Sequence, residues 1–313
     1  VLSAAVILAA LAVTLAWPVP ILLSRARWTW RAPGIALVLW QSIALAGGLS
    51  MLGSLLTWGL IPFGDTLPDG ITSLVSHAFG QPLPPGVGLE HVAALCGALY
   101  LGLHLTLNLA ATTFRAERQR RRHHHLVELL SEPMPDRPGT RVLDHAAPVA
   151  YCLPGAVRSI TVLSAGLLAL LDADELRAVI AHERAHLRQQ HHIVLLVFKS
   201  WHSALPWFPI ANRAENAVAL LVEMLADDQA RRVVDDRTLA RAIALVGTSG
   251  EERLPAPGER LAPDDNGQPF DLVTPRVRRL AGHSSPLPAA LRAGILGSAV
   301  ALLAVPTALL LIV

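Results

Sequence analysis

Four stretches of this chain, residues 1–23, 35–63, 92–114 and 291–313, are almost entirely apolar. Each reaches the roughly 20 residues that a helix needs to cross the hydrocarbon core of a bilayer. Lipid offers backbone amides no water to bond, so such a stretch must satisfy its own N–H and C=O groups as a helix. Charge avoids these stretches. Between residues 1 and 112 only Arg25, Arg27, Arg31, Asp65, Asp69 and Glu90 are charged, and residues 293–313 carry no charge. With 16% charged residues and a mean hydropathy of +0.45, the composition excludes both an ordinary soluble domain and a disordered chain. The expected fold class is an α-helical membrane protein with four transmembrane helices. Three fall within 1–114, the fourth within 289–313, and a mainly helical α+β polar insert, 115–288, lies between spans three and four.

The arginines orient the chain, because loops rich in Lys and Arg stay cytoplasmic. Arg25, Arg27 and Arg31 follow the first stretch rather than precede it, which fits a retained anchor better than a cleaved signal. The 62–90 segment has no Lys or Arg, whereas Arg115, Arg118, Arg120, Arg121 and Arg122 follow the third stretch. Both termini are therefore expected outside the membrane and the insert in the cytoplasm. Lys199 is the single lysine in an alanine-rich chain, the mark of a GC-rich bacterial genome. A net charge of +2 gives no footprint for nucleic acid. Cys96 and Cys152 are expected as free thiols. Tyr100, His104 and Asn108 form one polar stripe on the third span, suited to hydrogen bonds between helices.

The chemistry is concentrated in D-A-D-E-L-R-A-V-I-A-H-E-R-A-H, residues 172–186. Asp172 with Glu175 predicts a capping box that starts a helix. His182 and His186 then share one face, one turn apart, and two neutral imidazoles so placed can hold one Zn²⁺. Glu183 is positioned to act on a water at that ion. By chance alone, 13 histidines and this many glutamates would give the H-E-x-x-H pattern about 0.02 times. Arg177, Arg184 and Arg188 keep this helix out of the lipid. A third ligand is expected from the next helical segment, whose start is marked by Asn212 and Glu215. There Glu223 and Asp227 stand i, i+4, with Glu223 as candidate ligand and Asp227 as the acceptor that orients a ligating histidine.

These motifs resemble the BlaR/MecR antirepressor family of membrane metallopeptidases, and more distantly HtpX-like proteases. The resemblance rests on Pro154 and Gly155, S-I-T-V-L-S at 159–164 with G-L-L after it, the 174–186 motif, E-M-L-A-D-D at 223–228 and R-V-R-R-L at 276–280. It implies a zincin-like cytoplasmic insert with one Zn²⁺ per chain. It also implies His182, His186 and Glu223 as ligands, Glu183 as base and Asp227 behind the ligands. Arg276 is a candidate to neutralise an oxyanion, although a surface position on a terminal helix is the simpler expectation. The implied partner is a protein substrate of the winged-helix repressor type. Antibiotic-sensing relatives carry a penicillin-binding domain after the fourth span. Here the chain ends at Val313, so any signal is expected through residues 62–90, the spans or a partner.

The expected reaction is hydrolysis of a peptide bond, with the substrate extended along 159–164 at Thr161 and Leu163 as an added strand. The rival readings are a membrane quality-control protease and a non-catalytic transducer. His123, His124 and His125 read as a solvated basic helix near lipid headgroups. His191 and His192 read as non-ligands, because on a continuing helix they would turn away from His186. The apolar run from Ile193, with Trp201, Trp207 and Phe208, fits either a bilayer-facing surface or a buried helix.

Overall fold

The computed structural model describes residues 1–135, 137–153, 160–205, 209–249, 267–282 and 285–312. Its first span is made of α1 (Leu2–Ala16) and α2 (Pro18–Ser24), parted at Trp17, whose φ of −122° and ψ of −74° leave the helical region. Proline accounts for the break. It pushes the preceding residue out of the α conformation, and Pro18 itself fits the first turn of the next helix, where no N–H is required. A short 3₁₀ helix (Arg27–Arg31) leads to the second span, α3 (Pro33–Leu60). Between spans two and three lies α4 (Leu67–Ala78), started by Thr66, whose hydroxyl accepts the Asp69 N–H at 3.2 Å.

The third span does not stop where its apolar run stops. It belongs to α5 (Leu89–Leu130), 42 residues and about 63 Å long. The boundary expected between 114 and 115 therefore falls inside one helix. Charge ends the apolar run there, but arginine, glutamate and leucine are good helix formers. Glu117 supports the continuation with ion pairs to Arg120 at 2.8 Å and Arg121 at 2.7 Å.

A four-stranded sheet follows: β1 (Ser131–Pro133), β2 (Thr140–Leu143), β3 (Ala150–Leu153) and β4 (Ile160–Ser164), in the order β1-β2-β4-β3. β4 runs parallel to β2 and antiparallel to β3. This corrects the expected substrate strand. Thr161 pairs with Thr140 on one side and Cys152 on the other, and Leu163 with Val142 and Ala150, so β4 has no free edge. The sheet edge beside the motif helix is β3. Pro154, Gly155 and Ser159 lie outside the described residues, as do Trp207, Phe208 and most of the Pro-rich stretch at 255–269.

Among the described residues seven more helices follow: α6 (Ala165–Leu170), α7 (Ala173–Arg188), α8 (His191–Ala204), α9 (Pro209–Ala230), α10 (Asp236–Ser249), α11 (Thr274–Ala281) and the fourth apolar helix, α12 (Ala289–Ile312). α9 begins at Pro209, upstream of Asn212, so Asn212 and Glu215 are not its cap. Glu215 instead bonds His202 of α8 at 2.7 Å.

One hydrophobic core joins bundle and insert. Leu15, Leu23, Leu37, Trp40 and Ile43 of the first two spans pack with Phe198 of α8 and Val218, Leu221 and Val222 of α9. Gly48 lets α8 approach, since a Cβ there would stand 3.1 Å from the Trp201 ring. The far end of α8 is gripped by the polar stripe of α5. His104 Nε2 donates to the Ala204 carbonyl at 3.0 Å, satisfying a carbonyl that the helix end leaves unpaired, and Asn108 Nδ2 donates to the Ser200 carbonyl one turn earlier at 2.6 Å. In its described part the apolar run after the motif thus buries one face, with Phe198 in this core, and leaves Ile193 and Val197 exposed.

Candidate metal centre

α7 starts where the capping box directs. Asp172 accepts the N–H groups of Asp174 at 2.9 Å and Glu175 at 2.8 Å, and Glu175 accepts the Asp172 N–H at 2.9 Å. The helix packs against β3, α9 and α10. Leu176 and Ile180 enter a core with Leu163, Leu167 and Leu171, which turns the face bearing His182 and His186 toward α9.

On α9, Glu223 meets both histidines. Its Oε2 is 3.2 Å from His182 Nε2, its Oε1 is 3.4 Å from His186 Nε2, and the two Nε2 atoms are 3.1 Å apart. Tetrahedral zinc with bonds of about 2.0–2.1 Å would separate its ligand atoms by about 3.3 Å. The three donors therefore already stand close to the spacing of such an ion. Among the described residues, this is the one group of three or more potential ligands, all its donor atoms lying within 4.8 Å of one another.

Behind His182 lies a charged support. Its Nδ1 donates to Asp227 Oδ1 at 3.0 Å, and Asp227 is 1% exposed. Arg276 of α11 grips Asp227 with two bonds, Nε to Oδ2 at 2.8 Å and Nη2 to Oδ1 at 2.7 Å. Its Nη1 reaches Glu223 Oε2 at 2.9 Å. Arg276 is thus buried at the site, not on the surface, and its guanidinium is already committed to two carboxylates. That arrangement suits it to hold the ligands rather than to meet an oxyanion. Arg279, one turn on, secures α11 through Asp228 at 2.8 Å and the Trp30 carbonyl at 2.7 Å.

His186 has a different neighbour. α7 ends after Arg188 and Gln190 turns left-handed at φ 51°, the one non-glycine residue with positive φ among those described. Such a turn costs about 1–3 kcal/mol and persists when the surroundings enforce it. It folds His191 back, so that its Nδ1 lies 3.0 Å from His186 Nδ1 and its Nε2 lies 2.8 Å from Gln189 Oε1. His191 is 2% exposed. It does not belong to the donor group, but it stands directly against one of its members, which helical spacing could not reveal.

The electrostatics differ across the site. Burial disfavours charge on His182, yet its hydrogen bonds to Asp227 and Glu223 prevail and push its pKa up to about 9. At His186 and His191 burial prevails and brings both down to about 4, leaving neutral rings at pH 7. Burial opposes ionisation of Glu223 and Asp227, but Arg276 and His182 hold both carboxyls well below their usual range. Glu183 is half-buried. Burial raises the Cys152 thiol on β3, and the nearby Glu183 carboxylate raises it further. The same carboxylate is felt at Arg276. His123, from the histidine run, lies against the Tyr151 ring at 5.1 Å.

Residues 115–231 match the profile of peptidase family M48. The matched segment contains His182, Glu183, His186, Glu223 and Asp227, and ends before α11. No curated protein and no solved structure matches the chain.

Proposed function

We propose that the chain is a membrane-embedded zinc metalloendopeptidase, a reading supported by a family M48 match that covers the whole donor group. The observation that carries it is the His182–His186–Glu223 cluster at near-tetrahedral spacing, with Glu183 next to the first histidine. A zinc ion in this site supplies Lewis acidity, lowering the pKa of water toward about 7 and stabilising charge on the scissile carbonyl oxygen. Glu183 takes the proton of the attacking water and delivers it to the departing amine nitrogen. Asp227 fixes the ring of His182, and Arg276 keeps Asp227 and Glu223 ionised and in place. The substrate backbone adds to the outer edge of β3, with main-chain hydrogen bonds providing binding in any sequence context.

The core shared by bundle and insert, with the arginines that follow the first and third apolar helices, supports a site near the membrane surface on the cytoplasmic side. A protein segment presented near that surface is the substrate class this supports. Regulated cleavage of a cytoplasmic repressor is the role that the BlaR/MecR resemblance adds.

Mapping new protein N-termini in cells carrying wild type or Glu183→Gln tests this reading. A few termini lost in the variant, within one cytoplasmic regulator, are expected. Losses spread over many membrane proteins would point to quality control. No difference at rest or under stress would leave a non-catalytic transducer.

A further inference from the structure

We propose that His191 is a positioning residue for the second metal-ligating histidine: it accepts the Nδ1–H of His186 and thereby commits the Nε2 lone pair of His186 to the metal. This rests on the metallopeptidase reading and extends it to a residue outside the H-E-x-x-H motif.

The argument is one of hydrogen counting. Two imidazole nitrogens 3.0 Å apart share one hydrogen. If His191 donated it, His186 would carry its own hydrogen on Nε2, pointing at Glu223 and His182, and would have no lone pair for a cation. His191 Nε2 would then be a bare acceptor facing the Gln189 side-chain oxygen at 2.8 Å. If His186 donates, its Nδ1 and both nitrogens of His191 are satisfied. His186 Nδ1–H bonds to His191 Nδ1, His191 Nε2–H bonds to Gln189 Oε1, and His186 Nε2 faces the other two donors with its lone pair free. A ring as buried as His191 needs both nitrogens bonded, and this arrangement bonds both. The left-handed turn at Gln190 is the local feature that brings His191 within reach. His192, the next residue, is exposed and takes no part.

The test uses the full-length protein in lipid nanodiscs, stripped of metal. Zinc affinity is read by competition with a chelator, and ligand geometry by the visible spectrum of bound Co²⁺. His191→Leu should weaken zinc binding about 10-fold, the low end of the range for residues that orient a ligand, and should alter the Co²⁺ spectrum. His191→Asn, whose amide oxygen can accept from His186, should restore affinity to within about 3-fold. Gln189→Glu, which can only accept, should leave binding intact, whereas Gln189→Leu on the exposed side of the turn should weaken it in the same direction as His191→Leu. That last variant serves if His191→Leu fails to fold. Wild-type affinity and spectrum in both leucine variants would overturn the proposal, as would an asparagine variant no better than leucine. Failure of the wild type itself to bind zinc would overturn the metallopeptidase reading instead.

Discussion

The two histidines of the candidate metal centre are supported by different physics. His182 leans on Asp227, which is held by Arg276, so its support is a buried chain of charges drawn from α7, α9 and α11. His186 leans on His191 and Gln189, a neutral chain confined to the turn that follows its own helix. Charge-assisted hydrogen bonds are roughly twice as strong as neutral ones, but they oblige the protein to keep every partner in place. Breaking a buried ion pair strands a charge and typically costs about 3–5 kcal/mol, while a neutral bond contributes about 0.5–1.5 kcal/mol. The charged side therefore ties the site to the rest of the fold. The neutral side adjusts one ring and little else.

Removing the arginine should produce the largest effect. Arg276→Leu takes from Asp227 and Glu223 the guanidinium that both share, and should lower stability by about 3–5 kcal/mol in thermal unfolding of the protein in nanodiscs. Arg276→Lys should recover only part of this, because lysine cannot form the two-pronged bond to Asp227. An unchanged unfolding midpoint in Arg276→Leu would remove the contrast between the two sides. Next in size is Asp227→Asn, which keeps the shape and loses the charge. Zinc affinity should fall toward 100-fold, at the upper end of the usual range and beyond His191→Leu; equal losses would mean that charge adds nothing over a neutral acceptor. His192→Ala should do least, with zinc affinity unchanged and stability within about 0.5 kcal/mol, since the side chain is exposed. A loss there as large as at His191 would trace the effect to disturbance of the turn, not to the hydrogen bond.

How far the sequence could be read follows from how local each signal is. The four long apolar helices, the capped start of α7 and the shared face of His182 and His186 each depend on residues within a few turns of one another, and each is found in place. Arg276 stands 49 residues from Asp227 and 94 from His182, on another helix, and nothing in an arginine's type distinguishes a surface position from a buried one. The turn at Gln190 carries no glycine or asparagine to announce a left-handed residue, so a continuing helix was the natural expectation for His191 and His192. The interior position of β4 is a matter of strand order, fixed by a parallel pairing with β2 across the sheet and not by the pattern of β4 itself. The continuation of α5 past Phe114 shows a similar limit, since hydropathy marks where lipid ends and not where a helix ends.

The core shared by α1, α2, α3, α8 and α9 has a consequence for the order in which the protein matures. Chains emerge from the ribosome N-terminus first. The bundle residues that α8 and α9 pack against are therefore made before those helices exist, and Arg276 is made after them. A nascent chain that already contains His182, His186 and Glu223 still lacks the cation that holds Asp227 and Glu223. The donor group is therefore complete in charge only once α8 and α9 have packed on the bundle and α11 has docked.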